Sequence, residues 1–315
     1  MPRTVAVTGA TGFIGRHLVR QLADAGYRVR ILVRRLPVGQ PFADRTVEAV
    51  IGGLEDDDSL HALLSEADAV IHAAGLIKAR SRDEFFAVNA AGARRVAEAA
   101  ARQPAPVRFV LLSSLAAREP QLSDYAASKR AGETALTQSA GALSWTIVRP
   151  PVVYGPGDRE TLAFFRAAER GFVPIPAGVE GRISMIHAED LVAAVIAVMG
   201  SRNTVGCTLE VDDGRAGGYS WHELVATAGK VLGGKPRLVR IPRPMLVGFG
   251  LLNQLVGAAT AKVPMLTPGK VREVCHPDWA CRDRTIVERT DWRPRHSLRD
   301  GFAETVAWYR NQGWL

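Results

Sequence analysis

The feature that most constrains this chain of 315 residues is a glycine-rich segment directly after its first apolar run. Thr4–Thr8 predicts a buried strand, and an amphipathic helix is predicted over Phe13–Ala25. Gly9 and Gly12 lie between the two, and Gly15 lies in the first turn of the helix. The first glycine permits a tight turn, the second lets backbone N–H groups approach a pyrophosphate, and the third lets helix and strand pack closely. The positive end of the helix dipole favours the phosphates. The segment therefore predicts a dinucleotide-binding unit.

Short apolar runs alternate with helical patterns through the first half of the chain. Further strands are predicted at Arg28–Val33, Ala69–His72, Arg108–Ser113 and Trp145–Val148. Further helices are predicted at Ser59–Glu66, Arg82–Arg102 and Tyr125–Ala140. This alternation is typical of a parallel sheet with helices on both faces, and right-handed crossovers favour a doubly wound order. We therefore expect an α/β fold with a Rossmann-type doubly wound parallel sheet.

The pattern loosens after Pro150, where Pro and Gly become more frequent. There, Ile183–Met199 predicts a strand and a helix, Ser220–Leu232 a helix with a capping box, and Leu298–Gly313 an amphipathic helix. We expect a smaller C-terminal α+β substrate domain. The predicted division gives 1–171 and the returning segment 183–212 to the dinucleotide domain, and 172–182 and 213–315 to the substrate domain.

The charge and the cysteines exclude several classes of partner. The net charge is +8, but the arginines are scattered and no basic run interleaves with aromatic residues, so we expect no nucleic-acid partner. The three cysteines have no scaffold spacing, which indicates a reducing compartment, and Cys275 and Cys281 lack a zinc-site spacing. The first apolar run leads into the glycine segment instead of a signal peptide. We expect a cytoplasmic protein without a metal.

An uncharged stretch covers the 18 residues of Pro244–Ala261. Pro244, three glycines and the polar pair Asn253 and Gln254 count against a membrane span. Two interpretations stay open, a helix that packs in or lines a pocket of the substrate domain, and a peripheral membrane or lipid contact.

Several motifs occur together in one order along the chain. They are Gly9–Gly15, Ile71–Gly75 (IHAAG), Val88–Asn89, Ser113–Ser114, Tyr125–Lys129 (YAASK), Arg149–Gly157 (RPPVVYGPG) and Ile186–Asp190 (IHAED). In this order the chain resembles the extended branch of the short-chain dehydrogenase/reductase superfamily, the NAD-dependent epimerase/dehydratase family. The resemblance implies an NAD(P)-dependent oxidoreductase.

The resemblance also implies a set of cofactor contacts. They are Gly9, Thr11, Gly12, Phe13, Ile14, Gly15, Arg34, Arg35, Leu54, Ala73, Ala74, Gly75, Asn89, Tyr125, Lys129, Pro150, Val152 and Val153. Substrate contacts are expected at Ser114 and Tyr154. One departure concerns the adenine, since Gly52–Gly53–Leu54 stands where many relatives have Gly-Asp-Leu.

The end of the second strand bears on the choice of dinucleotide. NAD-preferring relatives place an acid where this chain has Val33, and Arg34 and Arg35 follow. A guanidinium fork suits a ribose 2′-phosphate. We expect NADP(H) to be preferred, with NAD(H) also open.

The catalytic residues implied by the resemblance are Ser114, Tyr125 and Lys129. Tyr125 and Lys129 are four residues apart and share one helix face. Tyr125 would exchange a proton with the reacting oxygen, Lys129 would lower the pKa of Tyr125, and Ser114, preferred over its neighbour Ser113, would hydrogen-bond that oxygen.

The segment Gly26–Arg34 resembles relatives that reduce ketones, close to the dihydroflavonol reductases and 3β-hydroxysteroid dehydrogenases. Together with the uncharged stretch, it favours reduction of an apolar or lipid-like 3-keto substrate to a secondary alcohol. Two alternatives stay open, a nucleotide-sugar epimerase or dehydratase with tightly bound NAD, and a non-catalytic dinucleotide-binding accessory subunit. The family also implies a homodimer formed through the helices at Arg82–Arg102 and Tyr125–Ala140.

Overall fold

The computed structural model describes residues 3–36, 46–178, 180–260 and 267–315, and for 254–260 it gives the helical backbone alone. The strands in these ranges are β1 Thr4–Thr8, β2 Arg28–Val33, β3 Val47–Ile51, β4 Ala69–His72, β5 Arg108–Leu112, β6 Ser144–Arg149, β7 Val152–Tyr154, β8 Phe172–Pro176, β9 Arg182–Ile183, β10 Met185–His187, β11 Cys207–Glu210, β12 Tyr219–Ser220, β13 Arg237–Ile241 and β14 Asp278–Trp279. The α-helices are α1 Phe13–Asp24, α2 Asp57–Leu64, α3 Arg82–Phe86, α4 Gly92–Ala101, α5 Asp124–Ser139, α6 Leu162–Glu169, α7 Ala188–Gly200, α8 Trp221–Leu232, α9 Arg243–Thr260, α10 Pro268–Val274, α11 Ile286–Arg289 and α12 Leu298–Asn311.

Seven strands of the described ranges form a parallel sheet in the order β11-β6-β5-β4-β1-β2-β3. After β3 the chain returns to the other side of β1 and forms β4, so the strand order reverses between these two strands. Ligands bind outside the carboxyl ends of parallel strands at such a reversal. The predicted α/β class with a doubly wound parallel sheet is confirmed.

Alternation along β1 shows how the sheet buries both faces. Val5 and Val7 belong to one apolar cluster with residues of α1 and α7, whereas Ala6 belongs to a second cluster with residues of α2 and α4. Successive side chains of a strand point to opposite faces, so a strand covered on both sides must be apolar throughout. This requirement explains why β1 reads as a continuous apolar run.

The predicted elements differ from the observed ones in two informative places. The sheet contains β3 and β11, which the apolar pattern did not indicate; β3 is the edge strand and is only partly buried, so it needs no apolar run. The helix predicted over Arg82–Arg102 is divided into α3, a π-helical turn at Ala87–Ala91 and α4. Wide π-turns of this kind occur mostly at functional sites.

A third apolar cluster lies in the C-terminal part and contains Phe165, Met185, Leu224 and Phe302. The pair β8 and β13, the strands β12, β9 and β14, and the helices α6, α8 and α12 surround or border it. Phe165 packs here although it precedes the boundary predicted after residue 171. The division into two domains stays a prediction.

The uncharged stretch falls on α9, in agreement with the predicted helix. No helix in the part of the chain that the structure describes is long and apolar enough to cross a membrane.

Candidate functional site

The glycine segment forms a tight loop between β1 and α1. Gly9 has a φ of +75°, and a Cβ on it would lie 2.6 Å from the backbone N of Ala74. A Cβ on Gly15 would lie 2.0 Å from the carbonyl oxygen of Gly9, so only glycine lets α1 start this close to the strand. Gly12 is the N-cap of α1 and supplies no side-chain cap, and the first turn of α1 holds no acid. The uncapped, uncrowded helix start fits a pyrophosphate.

The segment after β4, with Ala73, Ala74 and Gly75, lies beside this loop. On its other side it approaches the π-helical turn and α5. A Cβ on Gly75 would lie 3.2 Å from Oδ1 of Asn89 and 3.6 Å from Nζ of Lys129. Gly75 is exposed, whereas Asn89 and Lys129 are buried. The structure therefore brings together three residues that the resemblance assigned to the cofactor, around an open backbone position.

Asn89 sits in the π-turn, and a hydrogen-bond network fixes its amide. Its Oδ1 accepts from the N–H of Leu76 at 2.7 Å, and its Nδ2 donates to the Leu76 carbonyl at 3.0 Å and to Oγ of Ser128 at 2.8 Å. A Cβ on Gly132 would lie 2.3 Å from the Asn89 carbonyl, so α5 approaches the turn closely. Asn89 therefore holds the segment after β4 against α5.

Lys129 points towards the end of β5. Its ammonium donates to the Leu112 carbonyl at 2.8 Å. Burial lowers the pKa of Lys129 to about 8, although the charge of Glu133 acts in the opposite direction. A Lys with this pKa is still mainly charged at neutral pH and supplies a cation beside the site.

Tyr125 and Ser114 meet, as the resemblance implied. The Ser114 hydroxyl lies near enough to the Tyr125 hydroxyl to lower its pKa as a hydrogen-bonding neighbour. Oγ of Ser114 accepts from the Ala116 N–H at 3.2 Å. Burial raises the pKa of Tyr125 to about 12; the hydrogen bond from Ser114 opposes this rise and the charge of Glu273 adds to it. The expected lowering of the Tyr125 pKa by Lys129 is therefore not observed, because burial has the largest effect. The phenol is protonated at neutral pH.

The two serines after β5 have different partners. Oγ of Ser113 donates to Oε1 of the buried Glu133 at 2.5 Å. Arg149 donates to both oxygens of Glu133, at 2.8 and 2.5 Å. Burial alone would lower the pKa of Arg149, but its hydrogen bonds with Glu133 and the charge of Glu133 raise it overall. Ser113 thus belongs to a buried ion-pair network, and Ser114 is the serine that faces Tyr125.

Glu273 is a residue of this site that the motifs did not indicate. It lies on α10, is buried, and accepts a hydrogen bond from Ser123, the N-cap of α5. Lys270 donates to Glu273 Oε2 at 2.9 Å. The pair formed by Ser123 and Glu273 spans 150 positions, so no local pattern could reveal it.

At the other end of the site, Arg34 and Arg35 are exposed directly after β2. Leu54 packs on Gly92, where a Cβ would lie 2.8 Å from Cδ1 of Leu54. Asp56 accepts from the N–H groups of Asp58 and Ser59 as the N-cap of α2, so its carboxylate is already engaged near the expected adenine position.

The segment around β7 requires a correction. Tyr154 was expected to contact substrate, but it is fully buried in the third apolar cluster, and its hydroxyl lies 2.5 Å from where a Cβ on Gly301 would be. We therefore assign Tyr154 a packing role. The Pro150 carbonyl accepts from the Leu115 N–H at 2.8 Å, Val152 is exposed, and Val153 borders the first apolar cluster.

An apolar surface lies on α9. It consists of Met245, Phe249, Leu251 and Leu252, each with at least half of its side chain exposed. Three of them are spaced by four and three residues and share one helix face. The exposed arginines Arg237, Arg240 and Arg243, here called the basic flank, lie on β13 and at the start of α9.

The buried side of α9 leads towards the catalytic residues. A Cβ on Gly250 would lie 3.3 Å from the backbone N of Pro268, the first residue of α10. Glu273, on the same helix, accepts a hydrogen bond from Ser123, and its charge acts on Tyr125. The apolar surface is therefore separated from Tyr125 by the short helix α10.

Comparison with known proteins agrees with this architecture. The profile of the NAD dependent epimerase/dehydratase family matches residues 5–207. The chain is 47% identical over 311 residues to the ceramide reductase of Caulobacter vibrioides, covering 99% of this chain and 96% of that protein. It is 29% identical to the sterol demethylase protein B of Methylococcus capsulatus, covering 99% of this chain and 100% of that protein.

Among solved structures, the fold is similar to that of MoeE5 in complex with UDP-glucuronic acid and NAD. The TM-score is 0.74 and the identity 23%, covering 98% of this chain and 99% of that one. At this identity the likeness concerns the fold.

Proposed function

The chain belongs to the NAD-dependent epimerase/dehydratase family and is an NAD(P)-dependent oxidoreductase of the extended short-chain type, and we propose that it uses NADPH to reduce the ketone of a ceramide-like lipid. The observation that carries the proposal is the combination of a complete Tyr125, Lys129 and Ser114 set with an exposed apolar surface one helix away. The ceramide reductase relative supports the lipid class.

Tyr125 donates the proton in this reaction. The glycine loop with Gly9, Gly12 and Gly15 would hold NADPH, which would supply the hydride for the carbonyl carbon. The phenolic proton of Tyr125 passes to the carbonyl oxygen, so that the product is a secondary alcohol. Burial keeps Tyr125 protonated before the reaction, and Ser114 hydrogen-bonds the oxygen on which negative charge develops. Lys129 supplies a buried positive charge beside the exposed Gly75.

The proposed preference for NADPH rests on Arg34 and Arg35. Both are exposed where β2 ends, next to the reversal of strand order, and the strand ends on Val33 instead of an acid. Two guanidinium groups at this point suit a 2′-phosphate and offer no acceptor to a 2′-hydroxyl.

The apolar surface of α9 is the proposed membrane contact. Apolar side chains of this size enter the boundary of a bilayer, and each arginine near an anionic surface adds about 1 kcal/mol of attraction. The basic flank begins on β13 and ends at the first residue of α9, so positive charges adjoin the apolar surface along the chain. Positive charges beside an apolar surface match a membrane with anionic lipids. A lipid ketone could then reach Tyr125 without entering water.

A homodimer is proposed through α4 and α5, as the family implies. A shallow cavity of about 360 Å³ lies on this face and is lined by Phe86, Ala87, Ala90, Ala91, Arg94 and Ala135. Small side chains let a second pair of helices approach closely.

The test of the proposal is an assay with purified protein and a ceramide-like ketone in anionic vesicles. We expect NADPH to be consumed in step with formation of the lipid alcohol, and the purified protein to carry no tightly held cofactor. Retained NAD together with turnover of a UDP-sugar would contradict the proposal and favour the epimerase alternative. Absence of turnover on every ketone, with unimpaired cellular function of Tyr125→Phe, would favour the accessory-subunit alternative.

A further inference from the structure

His187, the last residue of β10, is fully buried, yet neither of its ring nitrogens has a hydrogen-bond partner in the part of the chain that the structure describes. A buried imidazole without partners has lost its hydration and gained nothing in exchange. The ring of His296 lies against it, with centroids 4.1 Å apart and planes tilted by 32°. Nδ1 of His296 is also buried without a hydrogen-bond partner among the described residues. Buried polar atoms without partners call for an explanation, and a bound ion is one such explanation.

Carboxylates converge on the same point. Oε2 of Glu304, on α12, lies 3.8 Å from Nε2 of His187 and 3.6 Å from Nε2 of His296. Glu189, in the first turn of α7, completes the group, since one ligand atom each of Glu189, His187 and His296 lies within 4.8 Å of the others. Around a tetrahedral zinc ion with bonds of about 2.1 Å, neighbouring ligand atoms lie about 3.4 Å apart.

We propose that His187, His296 and Glu304 form a binding site for a divalent transition metal of the zinc type. Glu189 supplies the fourth ligand after a side-chain adjustment. The separations that involve Glu304 exceed those of a tetrahedral site by only a few tenths of an ångström. Two imidazoles with two carboxylates suit zinc better than magnesium or calcium, which prefer oxygen ligands alone.

The surroundings of the histidines match a metal site. Nδ1 of His296 lies 3.1 Å from Oδ1 of the buried Asp190, although the ring is not oriented for a hydrogen bond to it. The other oxygen of Asp190 accepts the backbone N–H groups of Arg295 and His296. A carboxylate beside the second ring nitrogen leaves Nε2 free for the ion, and a carboxylate at this position is usual behind a zinc-bound histidine.

The charges also balance. Asp190, Glu189 and Glu304 carry three negative charges. Arg20 pairs with Glu189, so a net charge of about −2 remains in the cluster. A divalent cation neutralises that charge.

The ion would hold the C-terminal helix to the sheet-bearing part of the fold. Its ligands come from the end of β10, the start of α7, the turn before α12 and α12 itself. None of them is a proposed catalytic or cofactor residue, so we assign the site a structural role. Glu189 and Glu304 are partly exposed, which gives the ion a path from solvent.

The test uses the full chain, stripped with a chelator and titrated with zinc alone. We expect uptake of one zinc ion per chain by metal analysis after gel filtration, and a rise in Tm of about 5 °C at a hundredfold excess over Kd. His296→Gln and Glu304→Gln should each lose this uptake. His61→Gln is the matched control, because His61 is exposed on α2 and far from the cluster.

Absence of zinc uptake by the stripped chain would overturn the proposal, as would equal uptake by Glu304→Gln. Because Glu304 is partly exposed, its replacement should leave the fold intact, and circular dichroism of the stripped variant verifies this. The measured quantity is bound metal, so the result does not depend on enzymatic activity.

Discussion

The carboxyl end of the parallel sheet and the apolar surface of α9 use exposure in opposite ways. At the sheet end, polar side chains are buried and engaged, as Asn89 and Glu133 are. On α9, large apolar side chains such as Phe249 and Leu252 are exposed. Each pattern costs stability on its own, because buried polar groups need partners and exposed apolar groups order water.

The contrast agrees with the proposed division between a site of chemistry and a surface for substrate access. A rigid polar network holds reacting groups in place, so the sheet end is suited to chemistry. An apolar surface gains free energy only when something covers it, so α9 is suited to access. The predictions below test this separation between chemistry and access.

The largest effect is expected at the sheet end. Tyr125→Phe removes the proton donor and should lower kcat by about 10²–10⁴-fold on every ketone, with NADPH affinity nearly unchanged. Steady-state kinetics and a cofactor titration measure both. Tyr27→Phe, outside the site, is the control. A kcat within a few-fold of wild type would remove Tyr125 from the proton-donating role.

The next effect concerns α9 and separates access from chemistry. Phe249→Asp should weaken binding to anionic vesicles by about tenfold or more, and raise KM for a lipid ketone in those vesicles. Turnover of a short water-soluble ketone should not change. Vesicle co-sedimentation and paired assays provide the measurement.

Val205→Asp is the matched control, because Val205 is also exposed but lies away from α9. If Phe249→Asp lowers turnover of the soluble ketone as much as that of the lipid ketone, α9 does not serve substrate access alone.

A smaller effect is expected within the cofactor end. Arg34→Ala should weaken NADPH by about tenfold and NADH much less, because only NADPH carries the phosphate that the guanidinium meets. Arg28→Ala, at the opposite end of the same strand, should change neither affinity. If Arg34→Ala weakens the binding of NADPH and NADH equally, Arg34 does not contact the 2′-phosphate.

The last effect concerns stability instead of activity, and it is the pH dependence that His72 brings to the sheet end. Burial lowers the pKa of His72 to about 3, and the charge of Lys129 adds to the lowering. Below about pH 6.5 the His72 imidazole binds a proton in the unfolded protein but stays neutral in the folded protein. This residue should therefore remove about 1.4 kcal/mol of unfolding free energy per pH unit as the pH falls from about 6 towards 3.

Denaturant titrations between pH 7 and pH 4.5 compare the slopes of stability against pH. His72→Gln should flatten the slope, whereas His61→Gln, on an exposed helix face, should not. Identical slopes for the two variants would mean that His72 is protonated in the folded protein.

The sequence alone predicted the parallel sheet, the glycine loop, the Tyr125 and Lys129 pair and the helix of α9. Each depends on a local rule, such as a period of two or 3.6 residues, a glycine where a Cβ has no room, or two side chains four positions apart on a helix. Such rules act within about 20 residues, which is why they are visible in one chain.

Tertiary contacts decided the rest. The family resemblance favoured Ser114 over Ser113 for the position beside Tyr125, but only the fold shows that Ser113 donates to the buried Glu133. Tyr154 is buried because α12 packs on it. The contact of Glu273 with Ser123 and that of His187 with His296 each join segments more than 100 residues apart. Burial and partner choice at such positions follow from packing, which no local pattern encodes.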